Sequence, residues 1–135
     1  MKKNIKISLD FDGTLSRKDV QNFTKELVNS GYDVWVVTSR FDDEYATNRA
    51  WWWIRDQNKT LFDVANECGI KNENIHFTNQ EPKITFLKDK EFLFHLDDDS
   101  DELIHIMDSK DSCKPLNVNN FQWEESCLEL INNKL

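Results

Sequence analysis

The sequence has few of the residues that interrupt regular structure and few that cross-link it. Its 135 residues include only three glycines, two prolines and three cysteines. So little glycine and proline excludes a linker-rich or low-complexity chain. The cysteines, Cys68, Cys113 and Cys127, are odd in number and form no close pair, which argues against a disulfide framework and a zinc knuckle. We therefore expect three reduced, buried thiols.

Long apolar runs are also missing. The first run, 5–9, is short and interrupted by Lys6 and Ser8, so it predicts neither a signal peptide nor a membrane span. From this we expect a cytoplasmic protein without a membrane partner. The formal net charge of -8 disfavours broad, sequence-independent binding to a nucleic-acid duplex. The 39% of hydrophobic residues can still bury one core, so we predict a single domain over 1–135.

Short apolar runs alternate with helical patterns along the chain. The predicted strands, rich in β-branched and aromatic residues, are 5–9, 34–37, 75–78, 92–96 and 116–118. The predicted helices are 20–28 with a stop at Gly31, 44–59, 60–68 with Thr60 as N-cap and Gly69 as terminator, 82–88, 101–107 and 123–133. This alternation predicts an α/β fold, a Rossmann-like three-layer domain with a mostly parallel sheet of about five strands.

Polar side chains follow three of the predicted strands at the points where the strands end. They are Asp10 and Asp12 after the first strand, Thr38, Ser39 and Arg40 after the second, and Asp97, Asp98 and Asp99 after the fourth. Ligands of open parallel sheets bind beyond these carboxyl ends, so we expect the side chains to lie near one another. Oxygen ligands without histidine or thiolate suit Mg²⁺ better than zinc.

Asp10 and Asp12 are two carboxylates only one residue apart, and such groups repel each other. Gly13 permits the chain to bend there, which allows both side chains to approach one site. Carboxylates this close persist when a cation lies between them or when one keeps its proton. A D-x-D-G sequence is also typical of an ordinary turn with solvated acids, so the other strand ends must decide between the two interpretations.

Several of the remaining polar residues have simpler structural interpretations. Asp99 is expected to stabilise the N-terminus of the following helix, and Asp98 is open between that role and metal binding. For Arg40, a surface pair with the acids of the "DDE" segment that follows is the default, and contact with a substrate is the alternative. His95 lies within an apolar strand and is expected to be a core histidine with satisfied hydrogen bonds.

Four motifs, in this order along the chain, resemble those of the haloacid dehalogenase superfamily of phosphohydrolases. "DFDGTL" at Asp10 is similar to that family's D-x-D-G-T motif, and "VWVVTSR" has Thr38 where the second motif expects Thr or Ser. "LFHLDDD" at Asp97 is similar to the acidic fourth motif. The third motif requires a lysine at a helix start, for which Lys83 fits and Lys88 is the alternative.

The resemblance implies a Mg²⁺-dependent phosphatase in which Asp10 is the nucleophile and becomes an aspartyl phosphate. Asp12 would protonate the leaving oxygen and then deprotonate the attacking water. Thr38 would hydrogen-bond a phosphoryl oxygen, and Lys83 would balance negative charge. The ligands implied for Mg²⁺ are Asp10, Asp12 through its backbone carbonyl, Asp97 and Asp98. The residues expected to contact substrate are Gly13, Ser39 and Arg40.

Many members of that family carry a cap domain inserted after the first or the second motif. The intervals 13–37 and 39–82 are filled by predicted helices and strands, and a domain with its own core usually needs roughly 50 residues. We therefore expect no cap domain and an open site. Capless members of the family act on macromolecular ends or phosphoproteins, use a neighbouring subunit as a lid, or act on small sugar phosphates.

Three consecutive tryptophans, Trp51 to Trp53, occur in the helix predicted after the second strand. Neighbouring helix positions point about 100° apart, so the three cannot all face one core. We expect two to pack on the next helix and one to offer a surface for a base or for self-association. Polynucleotide 3'-phosphatases, a distant resemblance, have a helix here, so a nucleotide or nucleic-acid end is the expected substrate. The alternatives are a silent module binding a phosphorylated partner, a sugar-phosphate phosphatase and a phosphomutase.

Overall fold

The computed structural model describes residues 4–135 and contains a single five-stranded sheet. Its strands are β1 (Lys6–Leu9), β2 (Asp33–Thr38), β3 (Ile75–Phe77), β4 (Phe92–Asp97) and β5 (Lys114–Asn117). Every neighbouring pair is parallel, and the spatial order is β3-β2-β1-β4-β5. The predicted α/β, Rossmann-like fold class is therefore confirmed, with all five strands in the predicted places to within a few residues.

Helices cover both faces of the sheet and create two apolar cores. The helices are α1 (Lys18–Asn29), α2 (Asp43–Asn48), α3 (Trp52–Glu67), α4 (Ile84–Leu87), α5 (Ser100–Ser109) and α6 (Trp123–Lys134). The larger core joins α1, α3 and α6 to residues such as Ile7 and Leu9, whereas the smaller core joins α4 and α5 to Val37. These three layers are the arrangement that the alternating pattern predicts.

The helix boundaries after β2 differ from those predicted. Helix α2 ends at Asn48, the chain turns through Ala50 with a φ of +57°, and the Trp51 N–H donates to the Ala46 carbonyl at 2.9 Å. Helix α3 then continues past Thr60 to Glu67. The predictions of one helix over 44–59 and of a helix start at Thr60 are therefore wrong.

The physical reason lies in which side chains α3 buries. Asn58, Leu61 and Ala65 are fully buried and recur at helical spacing, so one continuous face of α3 packs on the sheet across position 60. Thr60 itself is exposed and caps nothing. Gly69 does end this helical segment, as predicted, with a φ of +93°.

The connections between strands are short. Between β1 and β2 the chain contains a tight turn and α1, and between β2 and β3 it contains α2, α3 and a short 3₁₀ turn. Over residues 4–135 no inserted cap domain covers the carboxyl ends of the strands. Among the helices of this described part, none combines the length and the apolar character needed to cross a bilayer.

Candidate active site at the carboxyl edge of the sheet

The loop after β1 places two aspartates in different environments. Asp10 is buried, whereas Asp12 is exposed, and between Leu9 and Leu15 the chain makes a tight turn in which Gly13 has a φ of +76°. A Cβ atom at position 13 would overlap the carboxylate of Asp98. Glycine is thus required there both by the backbone conformation and by the close approach of Asp98.

Lys83 lies between two buried carboxylates. Its Nζ donates to Oδ1 of Asp10 at 2.8 Å and to Oδ2 of Asp97 at 2.6 Å, and the lysine is 2% exposed. Burial alone would lower the pKa of Lys83, but the two carboxylates outweigh it and the pKa lies above its usual value. Lys83 directly precedes α4, whereas the alternative lysine, Lys88, is exposed at the other end of that helix.

Asp10 and Asp97 differ in acidity although both contact Lys83. Burial raises the pKa of Asp10 well above its usual value, and repulsion from Asp97 adds to this against the attraction of Lys83. Burial also disfavours ionisation of Asp97, but hydrogen bonds from His95 and Lys83, together with the positive charge of Lys83, bring the Asp97 pKa well below its usual value. Of the two carboxylates, Asp97 is therefore the more firmly ionised.

Two further side chains contribute to this buried set. The Thr14 hydroxyl donates to Oδ2 of Asp10 at 3.2 Å. Oε1 of Glu102, on α5, accepts the backbone N–H of Lys83 at 3.2 Å and so anchors the start of α4. The sequence pattern indicates a role for neither residue, although Thr14 belongs to the "DFDGTL" segment.

His95 is hydrogen-bonded at both ring nitrogens and is fully buried. Its Nδ1 lies 2.6 Å from the hydroxyl of Ser8, and its Nε2 lies 2.7 Å from Oδ2 of Asp97. The expectation of a core histidine with satisfied hydrogen bonds is confirmed. The sequence-based interpretation missed its link to Asp97, which the two-residue period of a strand indicates, since His95 and Asp97 point to the same face.

Arg40 pairs with Asp12 rather than with the acids that follow it in sequence. Its Nε and Nη2 donate to the two carboxylate oxygens of Asp12 at 2.9 and 2.7 Å, and its Nη1 donates to the Gln57 carbonyl at 2.9 Å. The predicted default pair with the "DDE" segment is therefore wrong. Asp42 and Asp43 are engaged elsewhere, as the N-cap of α2 and as an acceptor for the Asn58 amide.

β2 and β4 lie on opposite sides of β1, so the end of β2 is next to the loop that carries Asp12, on the side away from Asp97. Thr38 is fully buried, and its Oγ1 accepts the Arg40 N–H at 3.2 Å. The Ser39 carbonyl accepts two hydrogen bonds from Gln80, at 2.9 and 2.7 Å. These contacts fix the β2 end of the site through backbone groups.

The oxygen atoms at this edge fit a hard divalent cation. Carboxylate oxygens of Asp10, Asp97 and Asp98 lie within 4.8 Å of one another. Such an all-oxygen set suits Mg²⁺. Asp99 does not belong to the set, because its carboxylate caps α5 by accepting from the Asp101 N–H at 2.9 Å, as its predicted helix-stabilising role requires.

A cavity of about 490 Å³ opens beside Asp12. Its walls combine one cation, two apolar side chains and three amides, namely Arg40, Phe41, Ile54, Gln57, Asn58 and Gln80. Helix α3 therefore borders the candidate site. A larger cavity of about 560 Å³ lies between α5, β5 and α6 near Lys110 and Lys114, at the start of β5 and away from this edge.

The tryptophans lie at and just after the break between α2 and α3. The ring of Trp51 contacts Phe41 and Tyr45, with centroids 5.5 and 6.1 Å apart, whereas Trp52 and Trp53 are 58% and 56% exposed. The prediction that two of them pack on a following helix is wrong, because the segment predicted as that helix, from Thr60 onward, is the continuation of α3. The expectation of at least one exposed ring is confirmed by two.

Comparison of the chain with protein-family models, with curated proteins and with solved structures gives no match. Any assignment of function therefore depends on the site itself. Its distinctive elements are a buried lysine between two aspartates, a third aspartate beside them, and an exposed Asp12–Arg40 pair facing a cavity.

Proposed function

We propose that the protein is a Mg²⁺-dependent phosphatase of the haloacid dehalogenase type, which hydrolyses a phosphate monoester through an aspartyl phosphate on Asp10. The observation that carries this proposal is the Lys83 ammonium, buried between Asp10 and Asp97 at the carboxyl edge of a parallel sheet. A fixed cation beside a nucleophilic carboxylate offsets the repulsion between that carboxylate and an anionic phosphate. An ordinary strand end has no need of a buried lysine.

In the first step of the proposed reaction, a carboxylate oxygen of Asp10 forms a bond to phosphorus while the ester P–O bond breaks. The leaving oxygen takes a proton from Asp12, which is then a base for the water that hydrolyses the aspartyl phosphate. Thr14 donates its hydroxyl to Asp10 itself, and we propose that the Thr38 hydroxyl donates to a phosphoryl oxygen. Asp10 is regenerated as inorganic phosphate leaves.

The Asp10, Asp97 and Asp98 carboxylates, with the Asp12 carbonyl, are the groups that we propose hold the cation. When bound, Mg²⁺ supplies positive charge that neutralises the carboxylates and polarises the phosphate. Lys83 shares this task from within the protein, and its raised pKa keeps it charged at neutral pH.

The substrate that we propose is a nucleotide or a nucleic-acid end. The leaving group must lie beside Asp12, where the 490 Å³ cavity opens and where Arg40 offers a cation. Trp53 is exposed and lies one helical turn before Gln57, so an extended substrate leaving this cavity along α3 would reach an aromatic ring. Because the cavity volume also suits a small ligand, a sugar phosphate is the second candidate.

We further propose a cytoplasmic setting, in which the free and buried Cys68, Cys113 and Cys127 stay reduced. The exposed Trp52 and Trp53 have self-association as their alternative role. A hydrolase with no cap leaves its aspartyl phosphate open to water, which favours hydrolysis over a phosphomutase. The presence of both Asp10 and Asp12 favours an active enzyme over a silent binding module.

The test is a screen of phosphate esters in Mg²⁺ that includes an aryl phosphate, nucleotides, sugar phosphates and 3'-phosphorylated oligonucleotides. We expect chelation to remove activity, Mg²⁺ to restore it, and Asp10→Asn to abolish it in a folded protein, since an amide cannot be the nucleophile. Asp12→Asn should slow esters with poor leaving groups more than aryl phosphates. Near-wild-type activity in Asp10→Asn would contradict the mechanism.

A further inference from the structure

A buried line of polar groups runs through the sheet from β1 to the candidate site. Ser8, His95 and Asp97 are each fully buried, and their contacts are 2.6 Å from Ser8 to His95 and 2.7 Å from His95 to Asp97. The line continues through Lys83 to Asp10 at 2.6 and 2.8 Å. It therefore connects the interior of β1 and β4 to both carboxylates that flank the lysine.

Strand register explains this alignment. Ser8 of β1 is paired with His95 of β4, so the two side chains are neighbours on the face that also packs α4 and α5. Each is followed two residues later by an aspartate of the site, Asp10 and Asp97, on the same face. The parallel sheet thus places a Ser–His pair directly beneath an Asp–Asp pair.

The other hydrogen-bond partners of Asp97 decide which atom donates in its contact with His95. Asp97 accepts at both oxygens, from Lys83 and from the Asp99 N–H, so it is a carboxylate without a proton to donate. The Nε2 of His95 must then carry the hydrogen in its contact with Asp97. In that tautomer Nδ1 is the acceptor, and the Ser8 hydroxyl, 2.6 Å away, is its donor.

We propose that His95 and Ser8 are positioning residues, which hold the Asp97 carboxylate so that Oδ2 faces Lys83 and the carboxylate stays beside those of Asp10 and Asp98. This inference rests on the proposed function only where it concerns metal binding. The Ser8 hydroxyl orients the imidazole, and the imidazole orients Asp97. Neither residue touches the reacting atoms.

Packing alone does not explain why His95 and Ser8 occupy buried strand positions. Burying a histidine and a serine costs free energy unless every polar atom finds a partner, and apolar side chains fill most of the neighbouring strand positions. Outer partners of metal-binding carboxylates fix their orientation, and their loss typically lowers metal affinity about 10- to 100-fold. His95 and Ser8 stand in that relation to Asp97.

The first experiment records the ring ¹⁵N resonances of His95 in the wild-type protein. We expect a hydrogen on Nε2, the ring nitrogen that faces Asp97. The opposite tautomer would overturn the proposal, because Nε2 would then have no hydrogen to give to Asp97. This measurement needs no metal, no substrate and no variant.

The second experiment measures Mn²⁺ binding by electron paramagnetic resonance in His95→Leu, His95→Gln and Ser8→Ala. We expect affinity to fall about 10- to 100-fold in His95→Leu, less in Ser8→Ala, and to recover in His95→Gln, whose amide can donate to Asp97. His76→Leu is the matched control, since His76 lies on β3 and stacks on Phe86. Unchanged affinity in folded His95→Leu would overturn the proposal, and if that variant does not fold, His95→Gln and Ser8→Ala decide.

A third measurement separates this proposal from the phosphatase assignment. The Lys83 ammonium should give an observable ¹⁵N resonance while both carboxylates hold it, and we expect that signal to weaken in Ser8→Ala and His95→Leu relative to His76→Leu. If the wild-type protein bound no Mn²⁺ and hydrolysed no ester, the proposed function would fail, while this signal would still decide whether His95 positions Asp97. An unaltered signal would overturn the positioning role.

Discussion

Arg40 holds Asp12 through two parallel hydrogen bonds, Nε to Oδ2 at 2.9 Å and Nη2 to Oδ1 at 2.7 Å. The same guanidinium donates to the Gln57 carbonyl and lies 5.0 Å from the centroid of the Phe11 ring. One side chain therefore ties the proposed acid to α3. In the proposed reaction Asp12 must carry a proton, and once it is neutral Arg40 has lost its anionic partner at the mouth of the cavity.

Arg40→Gln should slow the hydrolysis of phosphate esters that carry a second anionic group more than it slows the hydrolysis of an aryl phosphate. A charge-assisted hydrogen bond contributes about 1.5 to 3 kcal/mol, so we expect kcat/KM to fall about 10- to 100-fold for the first class only. Steady-state kinetics on matched mono- and bisphosphates measure this. Arg49→Gln, which removes an exposed arginine stacked on Tyr45, is the control. Equal losses on both classes would contradict a role for Arg40 in recognising the leaving group.

Asp97→Ala and Asp99→Ala should separate metal binding from helix capping. Removing Asp97 deletes a carboxylate of the oxygen cluster, so divalent-cation affinity should fall strongly. Removing Asp99 deletes the N-cap of α5, so the free energy of unfolding should fall by about 1 kcal/mol while cation affinity is kept. Calorimetric titration and denaturant unfolding measure the two effects. Weaker cation binding in Asp99→Ala than in Asp97→Ala would show that Asp99, and not Asp97, is the cation ligand.

Trp53→Ala should raise the KM for a 3'-phosphorylated oligonucleotide and hardly change the KM for an aryl phosphate. Loss of one base-stacking ring costs roughly 1 to 3 kcal/mol. Trp52→Ala is the matched control, because Trp52 is equally exposed but borders a different cavity with Asp43 and Lys59. If the exposed rings instead form a subunit contact, light scattering will show a change of mass. A loss of folding without either effect would remove the main support for a nucleic-acid substrate.

The buried thiols should make the protein less stable in alkali. Burial raises the pKa of Cys113 and of Cys127 to about 12, against 9.0 for an ordinary thiol. Between these values the unfolded chain loses thiol protons that the folded chain retains, so the free energy of unfolding falls as pH rises above 9.0. Urea unfolding over this range measures the slope. It should be shallower in Cys127→Val, and an identical slope in that variant would show that other groups cause it.

Much of the candidate site is predictable from the sequence because strand ends obey simple rules. Asp10, Thr38 and Asp97 each follow an apolar run, and in a parallel sheet such positions converge. Lys83 is identified by its place before a short helix that leads into β4. The structure adds its burial and its two contacts, which depend on how α4 packs against the sheet.

Other features carry no local signal. Ala50 adopts a left-handed conformation although it is neither glycine nor asparagine. The sequence therefore does not indicate the break before α3 and instead suggests a helix start at Thr60. The Arg40–Asp12 pair joins residues 28 positions apart, and an argument from proximity in sequence favours the nearer acids. Both features arise from tertiary packing around α3.

The order of the strands has a consequence for local unfolding. β1 is central, with β2 on one side and β4 on the other, and the Asp10 amide still donates to the Leu96 carbonyl at 2.9 Å. We expect the amides of β1 to exchange with solvent only through global unfolding, whereas the three-residue edge strand β3 opens by smaller fluctuations. We therefore expect Asp10, the proposed nucleophile, to lie in a slowly exchanging part of the chain and the flank that includes Gln80 to exchange faster, so that the cavity wall can fluctuate without displacing Asp10.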